Sequence, residues 1–247
     1  MDDASGLRSF YERAYSRAGA AAARYGQWRA LGAVGKADHV IALCERAGAR
    51  PARTLEVGCG DGSLLVELAR RGFGGRREGV EISSAAVEIA AARDGVDAAM
   101  LYDGSRIPAE DRAYDLGILS HVLEHVREPA ALLAETARAC ARVIVEVPLE
   151  ANLSARRAGK RALSGDVGHL QRLDRASARA LTARAGLRIE AELEDALPLR
   201  VQLFWAATPP ARARAAAKWA VRASLHRAAP ALARRLFTVH YACICAA

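Results

Sequence analysis

The chain has 247 residues, 52% of them hydrophobic, with 36 Lys and Arg against 28 Asp and Glu for a net charge of +8. That length suits one sizeable α/β domain with small appendages, and with no run of about 18 apolar residues a transmembrane helix is not predicted. Five scattered cysteines without a C-x-x-C pair argue against a disulfide framework or a zinc ribbon, and the start Met1-Asp2-Asp3-Ala4 lacks secretion-signal regions, so a cytoplasmic location is expected. The excess cations are almost all arginine interleaved with alanine, without like-charge blocks or aromatic platforms, so nucleic acid is not an expected partner.

Residues 7 to 47 read as helical, with Leu7, Phe10, Tyr11, Ala14 and Tyr15 on one face. Gly19, Gly26 and Gly32 predict two or three short helices, the last from about Lys36 to Arg46. This forms an N-terminal helical cap over residues 1–50, ahead of a main domain at 51–247. A strand at Arg53 to Val57 runs into Gly58-Cys59-Gly60-Asp61-Gly62, a turn whose glycines let the backbone approach a ligand closely, and a helix starts near Asp61 to Ser63. The pattern G-x-G-x-G, flanked by Glu56 and containing Asp61, would repel a pyrophosphate and suits a cationic ligand. A second strand, Glu78 to Ile82, carries Glu81 at its tip, where βαβ geometry brings a carboxylate within reach of a ribose diol. Ser83 caps a helix through Ala92. A third strand, Val96 to Leu101, leads into Asp103 and Gly104.

A fourth strand, Tyr114 to Leu119, precedes Ser120-His121-Val122-Leu123-Glu124-His125. His121, Glu124 and His125 match H-x-x-E-H, a zinc-hydrolase spacing, although the position after a strand of a nucleotide-binding sheet does not suit that chemistry. No metal is expected. A helix from Glu128-Pro129 to about Ala139, a β-branched strand from Arg142 to Val147, and a long polar loop over residues 149–173 follow; the loop's length marks it as a functional candidate. A helix capped by Asp174 or Ser177, a sixth strand at Leu187 to Leu193 and a seventh at Thr238 to Cys245 complete the sheet. Between the last two lies a helical insertion, about 195–236, containing a basic Ala/Arg-rich helix after Pro209-Pro210. Val221, Leu225 and Leu232 suggest that it packs an apolar stripe on the domain.

The run Glu56-Val57-Gly58-Cys59-Gly60-Asp61-Gly62, together with the S-x-V-L-E-H-V segment at residues 120–126, resembles the class I S-adenosylmethionine (SAM) dependent methyltransferases. The resemblance covers about residues 50 to 195. It implies a Rossmann-like, mostly parallel seven-stranded sheet, order 3-2-1-4-5-7-6 with the last strand antiparallel. The cofactor is then SAM, contacted by Glu56, Gly58, Cys59, Gly60, Gly62, Glu81, Ile82, Asp103, Gly104 and Ser120. Glu56 would balance its cationic end, Glu81 hold its ribose and Asp103 its adenine. Tyr11, Tyr15, Tyr25 and Trp28 become lid aromatics. Gly168-His169-Leu170-Gln171 also resembles an element of this family, making His169 the preferred general base, with His121 and His125 as further candidates. The expected activity is methyl transfer to an oxygen, nitrogen or carbon nucleophile of a small molecule. The rival readings are a SAM-binding scaffold without catalysis and a zinc hydrolase built on residues 121–125.

Overall fold

The computed structural model describes residues 3–157, 159 and 168–247. Part of the long polar loop, residues 158 and 160–167, therefore lies outside the described residues.

Seven strands form one sheet: β1 (Arg53–Val57), β2 (Arg76–Glu81), β3 (Ala98–Leu101), β4 (Tyr114–Ser120), β5 (Cys140–Pro148), β6 (Arg188–Asp195) and β7 (His240–Ala246). Their order is β3-β2-β1-β4-β5-β7-β6, with β7 antiparallel to both neighbours and the other pairs parallel. This is the predicted topology, and it has a physical reason. Helices between parallel strands cover both faces, so the strands β1, β4 and β5 are buried over most of their length, whereas the edge strands β3 and β6 are half-buried. Strand β7 shows the two faces plainly: Tyr241, Cys243 and Cys245 join one hydrophobic cluster, while Ala242 and Ile244 join the other.

The N-terminal region departs from expectation. Helix α1 spans Asp3–Tyr15, but α2 runs unbroken from Ala20–Arg46 through Gly26 and Gly32 instead of forming several short helices. Only Gly19 acts as a break, at the helix N-cap with φ 89°. Packing overrides the local cost of glycine, since Ala37, Val40, Leu43 and Cys44 anchor the C-terminal half of α2 in the core under the sheet. Gly26 and Gly32 instead line a cavity, where the missing side chains leave room.

Helix α3 (Ser63–Arg70) follows the glycine turn, and α4 (Ser84–Ala91) begins at Ser83, whose hydroxyl accepts from the Ala86 amide as predicted. Glu12 of α1 accepts hydrogen bonds from the Ser83 and Ser84 hydroxyls and the Ala85 amide, which latches α1 onto the N-terminus of α4. Helix α5 is Pro129–Ala139, and α6 (Arg175–Arg184) carries a capping box of Asp174 with Ser177.

The insertion before β7 holds α7 (Leu199–Phe204), α8 (Pro209–Ala228) and α9 (Pro230–Leu236). The predicted apolar stripe packs only in part: α8 has no fully buried residue, Leu225 is half-buried, and Val221 and, on α9, Leu232 are 62% and 47% exposed. The helix is held also by polar and ring contacts. Trp219 donates to the Leu197 carbonyl, and the Arg222 guanidinium sits over the Phe237 ring. Alanine on every second or third position gives α8 strong helix propensity but little apolar area to bury.

Candidate functional site

A single cavity of about 2110 Å³ runs across the carboxyl ends of β1, β2, β4 and β5, roofed by α1, α2 and the insertion. Ligand pockets usually measure about 300–1,000 Å³, so this space suits two ligands side by side. Every site residue expected from the sequence except Gly62 lines it, together with Tyr11, Tyr15, Tyr25 and Trp28.

One end is the glycine turn. Gly58, Gly60 and Gly62 all have positive φ, and Gly62 is the left-handed N-cap of α3. A Cβ on Gly60 would come within 2.4 Å of the Tyr15 hydroxyl, and one on Gly58 within 2.8 Å of Val122. Glu81, at the tip of β2, accepts from the amides of Gly60, Ile82 and Ser83 at 3.0, 2.7 and 3.2 Å. A carboxylate has about four acceptor positions, so one is left for a ligand hydroxyl. Burial raises the Glu81 carboxyl above its ordinary range even against those three donors.

Glu56 is fully enclosed, and its Oε2 has no hydrogen-bond partner. Burial pushes its carboxyl up to about 8, with Lys36 opposing. A buried acceptor left unpaired is costly, so this atom calls for a cationic or N–H donor from the cavity. Asp61 differs from expectation. Its carboxylate is already engaged by Arg29 at 2.8 Å and by the Ser63 hydroxyl at 2.6 Å, with Arg93 at 3.6 Å. Of the two acids beside the turn, Glu56 alone stays unsatisfied. Asp103 lies on the cavity rim, its Oδ1 closing a local turn by accepting from the amides of Ser105 and Arg106 and the Ser105 hydroxyl. Those donors hold it below the usual carboxylate range. Gly104 follows with φ 91°, close to Ile82.

A second group of residues lining the same cavity is made largely of histidines. Leu123–His125 is a short 3₁₀ turn, not the helix that H-x-x-E-H needs, and His121 has φ 60°. The two histidines of that motif consequently part company. His121 pairs edge-on with His240, its Nδ1 on Glu124 Oε1 at 3.0 Å. His125 pairs with His169, their ring centroids 4.8 Å apart. Among the described residues no group able to share one ion contains both, which removes the basis of the zinc-hydrolase reading.

His125 has its Nδ1 3.1 Å from the Gly168 carbonyl, and burial lowers its pKa. His169 has its Nδ1 2.8 Å from Glu150 Oε2; burial would lower its pKa, but the carboxylate wins and raises it. Ser120 donates to Glu146 Oε2 at 2.7 Å and its carbonyl accepts from Lys36 at 3.5 Å. His39 of α2 bonds Glu146 Oε1 at 2.8 Å, and with Asp195 it is raised to about 9 despite burial.

Several of these residues escaped the sequence reading: Tyr15 as the neighbour of Gly60, Lys36, His39, Glu146, Glu150 and His240. Glu146 alone had a visible signal, a charged residue inside the apolar run Val143-Ile144-Val145-Glu146-Val147, which a strand buries only with partners.

A Rossmann-like sheet with a glycine turn after β1 and acids at the next strand ends defines a nucleotide-cofactor enzyme. The family model described as Methyltransferase domain matches residues 28–192, and the chain belongs to that family. Residues 28–192 are thus a methyltransferase domain. The chain is 34% identical over 100 residues to the ubiquinone biosynthesis O-methyltransferase of Hahella chejuensis, a match covering 38% of this chain and 41% of that relative. Geranyl diphosphate C-methyltransferase from Streptomyces coelicolor, solved with Mg2+, geranyl diphosphate and S-adenosyl-L-homocysteine, superposes with a TM-score of 0.60 at 15% identity. That superposition covers 86% of this chain and 79% of the other. A possible histamine N-methyltransferase from Thermotoga maritima superposes with a TM-score of 0.58 at 20% identity, covering 76% and 83%. At such identities the two structures establish the fold alone. No helix among the described residues is long and apolar enough to cross a membrane.

Proposed function

We propose that the protein methylates an oxygen nucleophile of a small molecule, with His169 as the general base. The observation that carries this reading is the Glu150–His169 pair, which lines the same cavity as the glycine turn. SAM supplies a methyl carbon already activated by its sulfonium, so the protein's task is positioning, water exclusion and removal of one proton.

At the turn, Glu56 would face the cofactor's cationic end, which fits its unpartnered Oε2. Glu81 has one acceptor position for the ribose, and the amides it holds fix the turn's shape. Asp103, with Oδ1 committed to its own turn, would use its other oxygen toward the adenine. Tyr11, Tyr15, Tyr25 and Trp28 close the space over both ligands and lower its water content.

A hydroxyl acceptor must lose its proton as the new C–O bond forms. His169 accepts it at its other ring nitrogen, Nε2, while Glu150 stabilises the resulting imidazolium through Nδ1–H. His125, edge-on to His169 and pushed toward the neutral form, keeps a second positive charge out of the pocket. The O-methyltransferase similarity adds support for oxygen.

The test uses SAM with a labelled methyl group and fractionated pools of hydroxylated small molecules. Labelled methyl ethers formed with equimolar S-adenosylhomocysteine are expected. Label found only on nitrogen or carbon would overturn the oxygen assignment.

A further inference from the structure

At the junction of β4, β5 and β7, three imidazoles converge on one oxygen of a buried carboxylate. Glu146 Oε1 lies 2.8 Å from His39 Nδ1, 3.7 Å from His240 Nδ1 and 4.0 Å from His121 Nε2. Only the first is a hydrogen bond. His121 Nε2 is buried with no hydrogen-bond partner. The ligand atoms of His121, Glu146 and His240 all lie within 4.8 Å of one another, and all three residues line the cavity.

Those spacings are too long for hydrogen bonds but close to what one ion needs. Two ligands each about 2.1 Å from a tetrahedral ion stand about 3.4 Å apart. The supporting contacts also fit. His121 turns its other nitrogen, Nδ1, to the Glu124 carboxylate at 3.0 Å, which fixes the ring with Nε2 toward Glu146. Glu146 is itself held by the Ser120 hydroxyl and His39.

We propose that His121, Glu146 and His240 bind a single divalent first-row transition ion, open to the cavity on its remaining side. Two imidazoles and one carboxylate select zinc or a neighbouring ion over magnesium or calcium, which prefer all-oxygen sets. Three protein ligands leave at least one position for an oxygen donor from the cavity. That the donor is the acceptor's oxygen rests on the oxygen-methylation reading; the binding of the ion does not. The second cluster, Glu124, His125 and His169, is the competing location.

The full chain, stripped with chelator and dialysed, is titrated with Co2+ as a visible-absorption probe and back-titrated with Zn2+, while elemental analysis counts ions per chain. One ion per chain is expected. His240→Gln and Glu146→Gln should each weaken binding by at least about 10- to 100-fold, the scale set by disturbing a metal site's supporting shell. His169→Ala should bind as the wild type does. S-adenosylhomocysteine calorimetry on each protein reports the folded cofactor site separately, so a wild type that binds the ion but not the cofactor product would strike the methyltransferase site reading alone. His121→Asn, at the least buried ligand, decides the question if a Gln variant does not fold. Substoichiometric binding, unchanged affinity in the ligand variants, or loss on His169→Ala in place of them would overturn the proposal.

Discussion

The two ends of the cavity are built from different materials. The glycine end is mostly backbone: three residues of positive φ, the amides that Glu81 gathers, and one enclosed acid on β1. The histidine end is mostly side chain, and its partners come from far apart; His39 and Glu146 are 107 positions distant, and His169 and Glu150 are 19 positions apart. A backbone site is encoded by a short run of residues, because turn conformation is local. A side-chain site is encoded only by the topology that gathers it.

The comparison predicts that the two ends fail differently, and the largest effect belongs to the histidine end. His169→Ala should lower kcat by about 10²- to 10⁴-fold, the usual worth of a general base, while calorimetric affinity for S-adenosylhomocysteine stays near wild type. A parallel loss of affinity would mean that the two ends are not separable. Glu150→Gln sharpens the same point through pH. Activity needs the neutral imidazole and is lost as pH falls through its pKa, which Glu150 raises; without that charge the acid limb of kcat/KM should move to lower pH. An unmoved limb would take the base role from His169.

At the glycine end, Glu81→Ala should weaken SAM binding by about 1–3 kcal/mol, the cost of leaving buried donors unpaired, with the loss seen in titration calorimetry. Glu56 adds a pH signature. Its carboxyl sits at about 8 in the free protein, and a cationic ligand favours the ionised form, so binding should release a proton and tighten as pH rises toward that value. Glu56→Gln should flatten the dependence; a slope that persists would assign the proton elsewhere. The smallest effect is expected far from both ends. Val221→Ser on α8 should change stability by no more than about 0.5 kcal/mol in chemical denaturation, because that face is exposed.

The two ends also differ in how far the chain could be read before folding. Glu56, Gly58, Gly60 and Glu81 were identifiable because a strand, a turn and a neighbouring strand tip are set by spacing over about two dozen residues. The same reasoning misjudged Asp61, which looked like a second cofactor acid until Arg29 of α2 reached it. It also broke α2 at Gly26 and Gly32, where burial of the helix's other half outweighs local propensity. His121 and His125 read as a pair at helical spacing, and the 3₁₀ turn that separates them was not encoded in that spacing.

The sequence by itself determined the alternation of strands and helices and the glycine turn after β1, because both are set by local spacing, while the sheet order and the methyl donor were read only through the resemblance to a known family. Only the tertiary structure decided which acids are spent internally, which histidines share a neighbour, and that α8 buries no residue fully. Those outcomes depend on contacts between distant segments, and the strength of each depends on the burial that the finished fold creates.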